Sequence, residues 1–148
     1  MSTPTSQGRQ DAPSEDRSVP ATLALNEDGW RFVTDRHLAT LSTIAPSGLI
    51  HAVAVGFTMH DGVVRIITSD GSQKVRNVER DGRATVTQVE GPQWLSFAGT
   101  ATIERGVDAV AHAVDLYAQR YRQPRVNPLR VVIRLVPERM LGSANLRT

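Results

Sequence analysis

The chain is predicted to form a mainly β domain with flanking helices, curled into a small barrel. Two observations predict this class. Strand-like segments follow one another over short turns, which favours an antiparallel meander. Hydrophobic residues make up 40% of the 148 residues, enough for one core. The connections leave room for only two or three helices.

The first predicted element is a short helix that begins near Asn26. Asparagine is a good N-cap, because its side chain accepts a hydrogen bond from the first helical turn. Glu27 and Asp28 place negative charge at the positive end of the helix. The helix is expected to end near Asp35.

Six strands are predicted from runs of β-branched and apolar residues bounded by Gly, Pro and Asp turns. They span residues 37–44, 49–59, 63–68, 84–89, 93–104 and 129–136. The Asp61-Gly62 pair predicts a tight hairpin between the second strand and the third.

Two more helices complete the predicted domain. One runs from about Ser72 to Arg80 and is closed by Asp81-Gly82. The other covers about residues 107–121, where apolar side chains recur with the period of an amphipathic helix. These side chains are Val107, Val110, Val114, Tyr117 and Tyr121.

The N-terminal segment differs in composition from the rest of the chain. Residues 1–19 are rich in Ser, Thr, Pro, Gln, Asp and Arg. Such a segment cannot bury enough apolar surface to offset its ordering entropy, so a disordered tail is predicted. A partner-binding arm is the functional alternative. Residues 20–148 are predicted to form the domain.

Composition excludes several classes of function. The chain has no cysteine, which removes disulfides, thiolate nucleophiles, iron–sulfur clusters and Cys-ligated zinc. No apolar run approaches the roughly 18 residues of a membrane span. The 17 basic and 15 acidic residues nearly balance, which argues against a nucleic-acid partner. The polar N-terminus lacks an apolar signal segment, so a cytoplasmic protein is expected.

Catalytic signatures are also missing from the sequence. It has no phosphate-binding P-loop, no dinucleotide fingerprint and no Gly-x-Ser-x-Gly elbow. The four histidines lack the helical spacing of metal ligands, so no metal site is predicted. A chain without catalytic side chains can still be an enzyme when a cofactor carries the chemistry.

The segment from Thr68 to Asn77 is the best candidate for a binding site. It is predicted to be a strand end, a glycine turn and a helix start, and a helix start offers free N–H groups to an anion. Thr68 and Ser72 add hydroxyls, and Lys74, the chain's single lysine, adds a mobile charge. The alternative is an ordinary serine-capped helix with solvated charges.

A group of arginines forms a second candidate site. Arg120, Arg122, Arg125 and Arg130 lie within eleven residues, interrupted by two prolines. Such a cluster would suit an extended polyanion. The alternative is a solvated loop.

The second predicted strand has two unlike faces. One carries small residues, which permit close approach by a flat ligand or by a packed neighbour. These small residues are Ala52, Ala54, Gly56 and Thr58. The other face carries the bulkier His51, Val53, Val55 and Phe57.

Several blocks of sequence resemble a known family. The blocks are residues 37–43, 51–58, 71–74, 93–96, 117–122 and 141–144. In order and spacing they are similar to the split β-barrel flavin and deazaflavin oxidoreductases, which include the pyridoxamine 5'-phosphate oxidase-like proteins. Within that group they look most like the F420-dependent biliverdin reductases. The similarity covers about residues 25–146.

The resemblance implies a fold, a cofactor and a reaction. It implies a split β-barrel that works as a homodimer, with cofactor grooves at the subunit interface. The implied cofactor is coenzyme F420, an 8-hydroxy-5-deazaflavin. Its reduced form would deliver a hydride to biliverdin, a tetrapyrrole, and give bilirubin.

The resemblance also assigns roles to residues. Lys74 would contact the coenzyme phosphate, assisted by Thr68 and Ser72. Related deazaflavin binders carry an arginine near Ser72. Because this chain lacks it, phosphate binding would depend on Lys74. Asn77 would add a polar contact. The ring is expected beside Val53, Val55 and Phe57. The cluster of Arg120, Arg122, Arg125 and Arg130 would hold either the coenzyme's oligoglutamate tail or the biliverdin propionates.

Two other functions fit the same sequence. One is an FMN-dependent oxidase or reductase on the same fold, which would purify with tightly held FMN. The other is a non-catalytic carrier of the coenzyme or of a tetrapyrrole, which would bind both molecules without hydride transfer.

Overall fold

A computed structural model describes residues 24–148 of the protein. The predicted N-terminal tail, residues 1–19, lies outside the described residues. The helices are α1 (Glu27–Thr34), α2 (Gln73–Arg80) and α3 (Val107–Arg120), followed late in the chain by a 3-10 turn at Ala144–Leu146. The strands are β1 (Ala39–Ile44), β2 (Ile50–Val55), β3 (Thr58–His60), β4 (Val63–Ser69), β5 (Arg83–Glu90), β6 (Gln93–Glu104) and β7 (Arg130–Gly142).

The seven strands form one antiparallel sheet in the order β2-β1-β5-β6-β7-β4-β3. The edge strands β2 and β3 are consecutive in the chain and are separated only by Gly56 and Phe57. This short link holds the two edges of the sheet side by side and curls it into a barrel. The mainly β class and the split-barrel architecture predicted from the sequence are confirmed.

The core lies on the inner face of the curled sheet. Leu41, Val86 and Phe97 occupy one cross-strand row of β1, β5 and β6 and are fully buried. Ile66 of β4 pairs with Ile133 of β7 on the same side. Side chains alternate between the two faces of a strand, so this one row fixes which residues point outward.

The predicted helices and hairpin are observed. The Asn26 side chain accepts a hydrogen bond from the Gly29 amide at 2.9 Å, as expected of an N-cap. Asp61 and Gly62 both have positive φ, 51° and 72°, which is typical of a tight two-residue hairpin. Within residues 24–148, none of the helices combines the length and the apolar character needed to cross a membrane.

Two predicted strands have different bounds in the structure. The single strand predicted over residues 49–59 is divided at Gly56 and Phe57, because side chains of α3 and of the residue after it bind the Phe57 backbone. The last strand continues past Pro137 to Gly142. A register shift between Ala98 and Gly99 accommodates Pro137, which has no N–H to donate to the ladder.

Asn26 also joins the two ends of the described chain. Its Nδ2 donates to the carbonyls of Asn145, at 2.8 Å, and Arg147, at 3.2 Å. Asn26→Ala removes the cap and both bonds, so the free energy of unfolding in urea is expected to fall by about 1–2 kcal/mol. Asn26→Asp keeps the cap acceptor and is the matched control. Equal stability losses in the two variants would contradict the capping role.

Candidate active site

A groove of about 330 Å³ opens at the split of the barrel. The ends of β2 and β4 form its two sides, α2 begins at one end, and α3 and the loop after it close the other. The lining residues are Ala54, Val55, Gly56, Ile67, Thr68, Ser69, Lys74, Tyr117, Pro124, Asn127 and Arg130. Two of them are basic and none is acidic, so the groove suits an anionic group.

Lys74 lies in the first turn of α2 and lines the groove. Partial burial lowers the pKa of its ammonium group. Among the described residues it forms no salt bridge, whereas Arg76 on the same helix bonds to the Gly71 carbonyl at 2.9 Å. The lysine charge is therefore directed at the groove without a protein carboxylate to neutralise it.

Ser72 is the N-terminal cap residue of α2, but its hydroxyl makes no capping bond. The Oγ atom is buried and has no hydrogen-bond partner within the described part of the chain. An unpaired buried hydroxyl costs stability unless something binds it. Ser72 is not among the residues that line the groove, unlike Thr68 and Lys74, so the donors that face the groove here are those of Thr68 and Lys74.

The arginine-rich loop, residues 121–129, is held against the end of β4. Asn127 Nδ2 donates to Ser69 Oγ at 2.8 Å, and Arg130 Nη2 donates to the Arg125 carbonyl at 2.7 Å. Arg130 lines the groove, while Arg122 and Arg125 are exposed beside it. Three of the four predicted arginines are thus in or near the groove.

The fourth arginine, Arg120, is placed differently from the prediction. It is only 8% exposed and donates to the carbonyls of Asp35 and Phe57 and to Gln88 Oε1. Its guanidinium carbon lies 4.5 Å from the centre of the Phe57 ring. Local sequence patterns could not predict the burial of Arg120, because it depends on contacts with three segments that are distant in the chain.

Asn77 likewise points into the protein. It is fully buried, donates to Thr43 Oγ1 at 3.1 Å and accepts from Gln73 Nε2 at 2.8 Å. These contacts fix α2 against β1. Asn77 therefore supports the helix that carries Lys74 and does not line the groove.

Of the three predicted ring contacts, only Val55 lines the groove. Val53 is half-buried against the core. Phe57 is fully buried, with its ring 6.4 Å from that of Phe97. The bulky face of β2 thus turns inward, and the small residues Ala52 and Ala54 are the exposed ones.

Four lining residues were not predicted as site residues from the sequence: Ile67, Tyr117, Pro124 and Asn127. Tyr117 belongs to the apolar stripe of α3, and nothing in that pattern separates a core residue from a groove residue. Asn127 lies in the proline-interrupted loop, where only the arginines carried a prediction. Among the described residues, His, Asp and Glu side chains form no group of three that could hold a metal ion.

The positive groove fits a phosphate-bearing planar cofactor. Lys74 and Thr68 offer donors to the anionic part, while Val55 and Tyr117 give an apolar wall to a ring. The exposed small residues at the end of β2 let a flat molecule approach the backbone closely.

Comparisons with known proteins agree with this geometry. The chain is 48% identical over 130 residues, 86% of this chain and 95% of the relative, to the F420H(2)-dependent biliverdin reductase of Mycobacterium tuberculosis. A solved conserved hypothetical protein from Mycobacterium tuberculosis has a TM-score of 0.71 at 27% identity, covering 80% of this chain and 84% of its own. A solved F420 reductase matches with a TM-score of 0.64 at 20% identity, over 75% of this chain and 94% of its own, and shows the shared fold.

The match to a family model is equally broad. Residues 27–143 match the pyridoxamine 5'-phosphate oxidase model, which spans nearly all of the described chain. The resemblance identified from the separate sequence blocks is therefore confirmed. This chain belongs to the pyridoxamine 5'-phosphate oxidase family.

Proposed function

We propose that this protein is an F420H2-dependent oxidoreductase that reduces biliverdin to bilirubin. The observation that carries the proposal is the groove at the barrel split, which contains two basic and no acidic side chains. The 48% identical relative, which is named for this activity, supplies the coenzyme and the substrate class.

The groove residues divide into those that hold the coenzyme phosphate and those that position its ring. Lys74 and Thr68 hold the phosphate, and the buried Ser72 hydroxyl lies at the start of the helix that carries Lys74. Val55 and Tyr117 form the wall beside the ring. Arg130 lines the groove, so we assign it to the anionic coenzyme tail. Arg122 and Arg125, exposed at the rim, remain for the propionates of the substrate.

Reduced coenzyme F420 supplies a hydride when it is bound. Bilirubin formation also requires a proton at a pyrrole nitrogen. The groove lining contains no carboxyl or imidazole group, so we assign the proton to water. The protein then contributes proximity and alignment of two planar molecules, which can account for much of the rate. A sharp break in the pH profile of kcat, measured at saturating F420, that traces to one protein group would contradict this assignment.

A homodimer is part of the proposal, and the outer face of the sheet supports it. Thr40, Thr87 and Ser96 follow one another across β1, β5 and β6 on this face. The exposed Ile50 and Trp94 lie on the same side. The core of a protein interface is typically depleted of charged residues, as this sheet face is at its centre. We also assign the protein to the cytoplasm, because its chain has no cysteine and therefore no disulfide.

Thr87→Arg tests the dimer. The variant places one charge of each subunit in the middle of the uncharged face, and like charges brought together there cost several kcal/mol. The dissociation constant measured by sedimentation is expected to rise on the order of a hundredfold. Arg31→Ala, an exposed residue of α1 that is not part of the sheet, is the control and should leave it unchanged. A monomeric wild type would refute the dimer.

The pH dependence of coenzyme binding tests Lys74. Burial lowers its pKa below the ordinary 10.5, and an anion binds its charged form. Affinity is therefore expected to be highest below this lowered pKa and to fall as the pH rises through it. Lys74→Arg keeps the charge and should move the fall to higher pH. Identical profiles for both proteins in a fluorescence titration would exclude Lys74 as the group responsible.

Binding and steady-state turnover together test the function. The purified protein is titrated with F420 and with FMN, and biliverdin loss is then followed with reduced F420. We expect tight F420 binding, weak FMN binding and bilirubin formation. Tightly held FMN would instead indicate the FMN-dependent alternative. Binding of F420 and biliverdin without turnover would indicate a carrier.

A further inference from the structure

The turn between β2 and β3 is held by two consecutive residues at the end of α3. Arg120 Nη1 donates to the Phe57 carbonyl at 2.6 Å. The Phe57 amide donates to the Tyr121 hydroxyl at 3.1 Å. Both backbone groups of one residue are therefore bound by side chains, in place of the strand ladder that would otherwise continue there.

The same two side chains bind the elements on either side of the turn. Arg120 Nε donates to the Asp35 carbonyl at 3.0 Å, and its Nη2 donates to Gln88 Oε1 at 2.7 Å. Gln88 in turn donates to the Phe32 carbonyl at 2.8 Å. The Tyr121 hydroxyl donates to the His37 carbonyl at 2.7 Å. The turn is thereby fixed to α1, to the start of β1 and to β5.

Tyr121 also reaches the wall of the groove. Its ring stacks on Tyr117, with centroids 4.7 Å apart and planes 28° apart. Both rings pack against Gly56, where an added Cβ would lie 3.0 Å from Tyr121 Cζ and 3.1 Å from Tyr117 Cε2. Gly56 and Tyr117 both line the groove. Tyr121, which helps to hold the turn, is thus in direct contact with the groove wall at Gly56 and Tyr117.

We propose that Arg120 and Tyr121 are positioning residues that set the shape of the coenzyme groove by fixing the Gly56–Phe57 turn and the Tyr117 ring. This role rests on the proposed function, because it assumes that the groove holds the coenzyme. Neither side chain lines the groove, so both act through Gly56, Phe57 and Tyr117.

Tyr121→Phe is the most selective test. It keeps the ring against Gly56 and Tyr117 and removes only the hydroxyl that bonds to His37 and Phe57. A lost hydrogen bond of ordinary strength corresponds to a change of up to about tenfold in affinity. We therefore expect KM and Kd for F420 to rise about fivefold to tenfold, with kcat within about twofold of wild type.

Leu146→Ala controls for a general loss of stability. Leu146 is fully buried near Leu25 and Gly29, away from the groove. It should lower the melting temperature and leave KM for F420 unchanged. Gly56→Ala provides an independent variant, since it removes no hydrogen-bonding group and displaces the two tyrosine rings. It should raise KM for F420 without lowering kcat more than about twofold.

The outcomes separate this inference from the proposed function. Wild-type F420 affinity and KM in Tyr121→Phe would overturn the positioning role while leaving the function intact. An equal rise of KM in Leu146→Ala would overturn it as well, since the effect would then follow stability alone. A wild-type protein that does not bind F420 would overturn the proposed function and, with it, this role.

Discussion

Lys74→Ala is expected to weaken F420 binding by about 1.5–3 kcal/mol, the range for losing a charge-assisted contact. Lys74 lines the groove, is partly buried and forms no salt bridge within residues 24–148. Its charge is therefore not compensated from within the described protein. Removing it takes away one of the two positive charges that the groove offers to a phosphate.

Fluorescence titration of F420 measures this loss directly. Arg83→Ala is the matched control, because it also removes one positive charge but from an exposed pair with Asp81. The Lys74→Ala protein should keep its thermal stability, since burial of the ammonium group disfavours its charged form. Unchanged affinity in Lys74→Ala, or an equal loss in Arg83→Ala, would exclude Lys74 as a specific phosphate ligand.

Arg120→Ala is expected to lower the free energy of unfolding by about 3–5 kcal/mol. The substitution leaves Gln88 Oε1 without its donor, leaves the Phe57 carbonyl with only the longer bond from the Tyr121 hydroxyl, and removes the guanidinium from the Phe57 ring. Burial lowers the pKa of Arg120, but a guanidinium stays charged, so this is a buried cation held by neutral oxygens.

Urea unfolding compares the stability losses of Arg120→Ala and Arg122→Ala, which belong to the same predicted arginine cluster. Arg122 is exposed two residues away and should leave the unfolding midpoint unchanged. If both variants lose stability equally, or neither does, the interior position of Arg120 is contradicted. The stability of Arg120→Lys should lie between those of wild type and Arg120→Ala, because one ammonium group cannot bind three acceptors with the geometry of a planar guanidinium.

Features that depend on a few neighbouring residues could be predicted from the sequence. The cap at Asn26 and the hairpin at Asp61-Gly62 follow from local backbone chemistry and are observed. Lys74 was singled out because a helix start and a solitary lysine coincide, and it does line the groove.

Features that depend on distant partners could not be predicted from local patterns. The apolar alternation of residues 49–59 runs unbroken through Gly56 and Phe57 and therefore indicates one strand. The break comes from Arg120 and Tyr121, more than sixty residues later in the chain. The same pairing removes Arg120 from the arginine cluster. The burial of Asn77 could not be predicted from a local pattern either, because its partner Thr43 lies on another element.

Single turnover is the measurement that tests the proposed function most directly. The protein is mixed anaerobically with one equivalent each of reduced F420 and biliverdin, and both absorbance spectra are followed. We predict that biliverdin loss and F420 reoxidation occur at one rate and in equal amounts. Persistence of both reactants, with F420 bound in a separate titration, would contradict biliverdin reduction while leaving the fold and the groove as described.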